Sequence, residues 1–122
     1  MRYLLFPFSL LFKTFVFLRN YFYDTKIINV YKLPCSVISI GNITAGGTGK
    51  TPFVVYLSEI LKNKFNYKVA ILSRGYRRKT SGTVIVSNDK SWKAFGDEPY
   101  MMFKQLENIP IVVDEDRYRG GC

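Results

Sequence analysis

The sequence predicts an α/β fold: a mostly parallel sheet with flanking helices, preceded by an amphipathic helix. Three observations predict it. Short apolar runs rich in β-branched residues recur at 36–40, 68–73, 83–87 and 109–113. A glycine-rich loop joins the first of these runs to a segment of helical periodicity, the order expected of a βαβ unit. Residues 3–18 form a long apolar and aromatic stretch ahead of all of them.

At 122 residues the chain can build one domain with a modest core, and a second full domain has no room. The expected organisation is an N-terminal helix and linker over 1–30 and one domain over 31–122. Hydrophobic residues make up 48% and charged residues 22%, a globular balance rather than a disordered one. Two cysteines, Cys35 and Cys122, are no disulfide framework, and the chain has no histidine. That composition argues against a zinc cluster and rules out a Ser–His or Cys–His pair drawn from these residues alone.

The net charge of +9 is unevenly placed. It is +4 over 1–35, zero over 36–61, +8 over 62–93 and −3 over 94–122. Such a layout suits anionic partners: phosphates, lipid head groups or nucleic acid. Charge alone does not choose among them.

Residues 3–18, YLLFPFSLLFKTFVFL, lack the clean apolar stretch and small-residue cleavage site of a signal peptide. They also fall short of the roughly 20 apolar residues of a spanning helix, with Lys13 inside and Arg19 at the end. In a helix begun near Ser9, the polar residues Ser9, Lys13, Asn20 and Asp24 fall on one narrow stripe at about 100° per residue. The remaining surface is greasy and edged by Arg2, Arg19 and Lys26. The expectation is a helix lying in a membrane interface; a helix buried against the domain is the alternative.

The run SVISI (36–40) reads as a buried parallel strand, and GNITAGGTGKTP (41–52) follows it. Phe53, Val54, Leu57, Ile60 and Leu61 then repeat at helical spacing, so a helix begins where the loop ends. Gly46, Gly47 and Gly49 let the backbone curl closely enough to point successive N–H groups at an anion. The helix N-terminus adds unpaired donors and a favourable dipole. Lys50 is expected to reach the β- and γ-phosphates, and the Thr51 hydroxyl to ligate Mg²⁺. The nucleotide-binding set is therefore Thr44, Ala45, Gly46, Gly47, Thr48, Gly49, Lys50 and Thr51: a P-loop, in a P-loop NTPase-like domain. Thr44 departs from the general pattern, which places glycine there.

KVAILS (68–73) is expected to pair parallel to 36–40, with the P-loop helix as a right-handed crossover. Arg74, Tyr76, Arg77 and Arg78 follow at a strand's C-terminal end, where open sheets bind ligands. They read equally as an anion-binding loop or as a solvated basic turn. TVIVS (83–87) is a further strand candidate. GDEP (96–99) opens a helix; its acids serve either as ordinary first-turn chemistry or as a pair that orients an attacking hydroxyl and assists Mg²⁺. IPIVV (109–113) is a last strand ending in Asp114, a candidate metal acid despite Pro110 and a polar sequel. No closing helix is expected after it.

Taken together, VISIGNITAGGTGKTPFV (37–54), VAILSRGYRR (69–78), GDEP (96–99), the Asp116–Arg117 pair and the aromatic N-terminal helix resemble the tetraacyldisaccharide 4'-kinase family. This is the lipid A kinase family of bacterial outer-membrane biogenesis, and Thr44 in place of glycine is its own variant. The resemblance implies an enzyme peripheral to the inner membrane, on its cytoplasmic face, that uses ATP and Mg²⁺. It would phosphorylate the 4'-hydroxyl of a tetraacyl disaccharide 1-phosphate lipid, with no nucleic-acid partner. By the same resemblance Asp97 is catalytic with Lys50, Glu98 joins Thr51 at the metal, and Arg74, Tyr76, Arg77 and Arg78 face substrate or phosphate. Family members are longer, with an Asp-Asp-Gly motif and a histidine that this chain lacks. The resemblance thus implies an incomplete kinase domain, expected to be inactive alone. The rival reading is a membrane-docked P-loop ATPase or GTPase switch without a small-molecule acceptor.

Overall fold

The computed structural model describes residues 6–42, 47 and 49–122, and the chain divides into two compact units, Met1–Lys32 and Leu33–Cys122. In the first, α1 (Phe6–Asp24) runs through the aromatic stretch. It begins earlier than Ser9, because Pro7 sits in the first turn, where its missing N–H costs nothing. The helix stops at Lys26, whose φ of 57° is left-handed. There Ile27 N–H bonds to Phe22 O at 3.1 Å and Lys26 N–H to Tyr23 O at 3.1 Å, a Schellman closure. The Arg19 guanidinium lies 5.1 Å from the Tyr23 ring centre, one turn away. No described helix is long and apolar enough to cross a membrane.

The second unit is α/β with a small mixed sheet. After α2 (Lys50–Asn63) come β1 (Ile71–Ser73), β2 (Val84–Ile85), α3 (Trp92–Phe95), α4 (Asp97–Gln105), β3 (Ile111–Val113) and α5 (Arg117–Gly121). The strand order is β1-β3-β2. β1 pairs parallel to β3, Ile71 opposite Ile111, and β2 pairs antiparallel to it, Val84 opposite Val113. Pro110 stands just outside β3, where only its carbonyl is used, accepting Ile71 N–H at 3.0 Å. Ile71, Val86, Phe95, Met102, Leu106, Ile109, Ile111 and Val113 form the core, with Val54 and Val55 of α2 packed against it.

Three expectations need correction. Residues 36–40 form no strand, and Val37 and Ile38 stay exposed, at 65% and 61%. A strand needs a neighbour for its ladder, and β1 is paired instead to β3, so the crossover from 36–40 to 68–73 is not made. The sheet is mixed rather than mostly parallel, because the loop after β1 turns back and delivers β2 antiparallel. Finally, α5 does close the described fold. Asp116 caps it, its Oδ1 accepting the N–H groups of Tyr118 at 2.9 Å and Arg119 at 3.1 Å. The two glycines that argue against a helix there permit contact instead: a Cβ on Gly120 would lie 2.8 Å from Leu72 Cδ1.

Candidate active site

Of the expected phosphate loop, Thr44, Ala45, Gly46 and Thr48 lie outside the described residues. Gly47 is exposed, and Gly49, with φ of 73°, takes the N-cap position of α2. Gly49 at the N-cap has no side chain to cap this helix end, so among the described residues none competes there with an anion for the first N–H groups. Lys50 and Thr51 are its first two residues, both half-buried. Beside them an open cleft of 430 Å³ is lined by residues 38–42, Gly49, Lys50, Phe53 and Leu57.

α4 is brought to this helix end by the core that α2 and α4 share. The Thr51 hydroxyl donates to Glu98 Oε1, across 47 residues of sequence. Asp97, immediately before Glu98, is the first residue of α4 and is exposed. The two residues assigned to a metal from sequence therefore touch, and the candidate catalytic carboxylate adjoins them. Oxygen donors of this kind suit Mg²⁺, which is usually held by one or two protein groups together with substrate phosphate and water. Among the described residues there is no cluster of three or more acids or cysteines that would form a complete protein cage.

The loop after β1 is seated against the start of α4 by two glycines. Gly75 has φ of 65° and Gly96 φ of 98°, both left-handed. A Cβ on Gly75 would stand 2.2 Å from Val113 Cγ1 and 2.6 Å from Phe95 O; one on Gly96 would stand 2.9 Å from Tyr76 O. Nothing larger than glycine fits either place, and the SRGY loop is held against the residue preceding Asp97. Arg74, Tyr76 and Arg77 project outward from it. Arg78 turns inward, its side chain only 4% exposed. Its guanidinium donates to Gly82 O at 2.7 Å, to Val113 O at 3.3 Å and to Glu115, so it ties the loop down.

Asp114 is fully buried, and all four carboxylate positions are taken. Arg119 donates Nε to Oδ2 at 2.9 Å and Nη2 to Oδ1 at 2.6 Å, Asp116 N–H reaches Oδ1 at 2.8 Å, and the Thr83 hydroxyl fills Oδ2. The Arg119 guanidinium foremost, then the Thr83 and Asp116 donors, hold its pKa well below the usual carboxylate range. Asp114 is thus a structural anchor with no lone pair left for a metal, which corrects the metal-acid reading. Glu115 is also held low, first by the Gly82 N–H and then by Arg78. Sequence reasoning missed Arg119 and Thr83. The available signal was an acid at a strand end followed five residues later by an arginine.

Comparison with known proteins identifies the family. The sequence matches the profile of the family described as LpxK, Tetraacyldisaccharide-1-P 4'-kinase, over residues 1–122. It is 50% identical over 121 residues to the tetraacyldisaccharide 4'-kinase of Aquifex aeolicus (96% of this chain, 38% of that protein). It is 44% identical over 117 residues to that of Parabacteroides distasonis (96% and 31%). The fold resembles a crystal structure of "apo" form LpxK from Aquifex aeolicus in complex with ATP. The TM-score is 0.77 at 48% identity, covering 98% of this chain and 38% of the other. The chain thus spans 38% and 31% of the length of these two curated relatives. With a profile match along its whole length and this shared fold, the chain belongs to the tetraacyldisaccharide-1-P 4'-kinase family.

Proposed function

We propose that these residues form the phosphate-holding part of an ATP-dependent lipid kinase. In this reading the domain is P-loop NTPase-like, and α1 lies in the cytoplasmic face of the bacterial inner membrane. The acceptor is the 4'-hydroxyl of a tetraacyl disaccharide 1-phosphate, and the product is its 4'-phosphate. The observation that carries the reading is the Thr51–Glu98 hydrogen bond, which sets the end of the phosphate loop beside the GDEP helix.

Each side chain then has a task. Residues 44–51 and the N-terminus of α2 receive the triphosphate, and Lys50 neutralises its β- and γ-phosphates. Thr51 and Glu98 hold Mg²⁺, which when bound offsets the charge that develops on the transferred group. Asp97 takes the proton of the attacking hydroxyl as the new O–P bond forms and ADP leaves. Arg74, Tyr76 and Arg77 face the lipid's anionic groups, while Arg78 keeps their loop in place. The ATP of the Aquifex aeolicus structure supports the choice of nucleotide.

The test is acceptor dependence. A chimera in which this segment replaces the matching 121 residues of the Aquifex aeolicus relative is given γ-labelled ATP and the tetraacyl disaccharide 1-phosphate. Label on the lipid's 4'-oxygen is the expected result. ATP hydrolysis that ignores the lipid would overturn the proposal in favour of a nucleotide switch.

A further inference from the structure

We infer that Cys35 and Cys122 form a reversible disulfide that fastens the segment entering the candidate nucleotide cleft to α5, a thiol-based control of ATP binding. The inference rests on the phosphate-loop reading for its effect on ATP, but not for the bridge itself.

The two thiols are brought to one place by a contact between their neighbours. Leu33 sits against Gly121: a Cβ on that glycine would stand 2.4 Å from Leu33 Cδ1 and 2.8 Å from Cδ2. Cys35 is two residues from that contact and Cys122 is one, a backbone reach of about 7 Å and about 4 Å. The chain also bends at Pro34 and Cys35, so it turns at the contact instead of running straight past it. Both cysteines are free and exposed, and neither gives up packing by turning toward the other. They are the chain's two cysteines, so the pairing has no rival within one molecule.

One end of the bridge is firmly held. Cys122 N–H donates to Tyr118 O at 3.2 Å, in a helix capped by Asp116 and tied to Asp114 by Arg119. The other end has no such hold. Residues 36–40 have no ladder partner among the described residues, yet 38–42 line the cleft beside Lys50. A bond at Cys35 fixes the start of that segment and leaves less to be ordered when a triphosphate binds. In the bridging step each thiol gives up its hydrogen and the S–S bond forms. A small-molecule disulfide takes the two electrons and two protons and leaves as two thiols, by exchange through a mixed disulfide. An exposed bridge of this kind is labile, which suits a sensor rather than a permanent staple.

The test treats the reduced full chain, kept dilute, with oxidised glutathione and digests it with trypsin in the absence of reductant. The expected product is the peptide 33–50 joined to 120–122, lighter by two hydrogens than the two together and separated by dithiothreitol. Calorimetric titration with ATP and Mg²⁺ should give the bridged chain a dissociation constant about fivefold lower than the reduced one, the lower end of what fixing one residue's backbone is worth. Cys35→Ser and Cys122→Ser should each lose the joined peptide and the gain in affinity. Glutathione held on either thiol without the joined peptide, or a reducible dimer between copies, would overturn the inference. So would the joined peptide with equal ATP affinities in the two states. If the joined peptide forms and neither state binds ATP, the bridge stands and the phosphate-loop reading is what falls.

Discussion

Arg119 grips Asp114 with two nitrogens, Nε 2.9 Å from Oδ2 and Nη2 2.6 Å from Oδ1, and thereby joins α5 to the end of β3. The carboxylate's folded pKa is lowered below its unfolded value. A depressed acid contributes stability that is complete above the ordinary carboxylate range and drains away as pH falls through it. Urea midpoints of the wild type should therefore drop on acidification, and those of Asp114→Asn should drop less. Arg119→Ala should be the worse variant at neutral pH, because it strands a buried charge. Parallel midpoint–pH curves for wild type and Asp114→Asn would refute the assignment.

The glycine pair Gly75 and Gly96 gives a steric prediction with a built-in control. Gly82 also has positive φ, at 74°, but a Cβ there meets nothing within 4 Å. Gly82→Ala should cost only the left-handed penalty of about 1–2 kcal/mol. Gly96→Ala adds a backbone collision, and overpacking of that kind costs about 1–3 kcal/mol more. Gly75→Ala, with two contacts under 2.7 Å, should be the most damaging of the three. Denaturation midpoints in the order Gly82→Ala, Gly96→Ala, Gly75→Ala, from highest to lowest, are the expected outcome.

What could be read from the sequence followed from local patterns, and what could not depended on partners. α2 and α4 were legible because apolar spacing, Pro99 and the acids at 97–98 act within a turn or two. β3 was legible for the same reason, as a short buried run. Residues 36–40 have an equally good strand pattern, yet periodicity says only which face seeks burial, not whether a neighbour exists to provide it. α5 was hidden because Gly120 and Gly121 disfavour a helix by propensity, while a cap from Asp116 and close packing on Leu72 override it. At the candidate site, the residue types were evident from motif and resemblance. That Thr51 meets Glu98, or that Arg78 turns inward, is decided by tertiary packing across 47 and 37 residues.

If Thr51 and Glu98 share one ion, their variants should resemble each other and depend on that ion. Thr51→Val and Glu98→Gln should each weaken ATP binding in the presence of Mg²⁺ by about ten- to a hundredfold, the range for losing a charge-assisted contact. In EDTA both should bind ATP nearly as the wild type does. The double variant should be little worse than either alone, since one ion serves both. Calorimetric titration with and without Mg²⁺ reads all of this; equal losses in EDTA would place the two residues outside the metal's reach.

Asp97 poses the sharpest question, since a first-turn acid also stabilises its helix by about 0.3–1 kcal/mol through the dipole. Stability and catalysis separate with two substitutions in the chimera. Asp97→Asn keeps the shape and removes the proton acceptor, so kcat should fall by about 10²–10⁴. Asp97→Glu keeps the charge at the helix N-terminus but moves the carboxylate by one methylene. It should restore the melting temperature while leaving kcat low, because proton transfer depends on placement within hydrogen-bond reach. Neither variant should change the ATP dissociation constant much. If Asp97→Glu recovers kcat along with stability, Asp97 is a capping residue and the proton acceptor must be sought elsewhere.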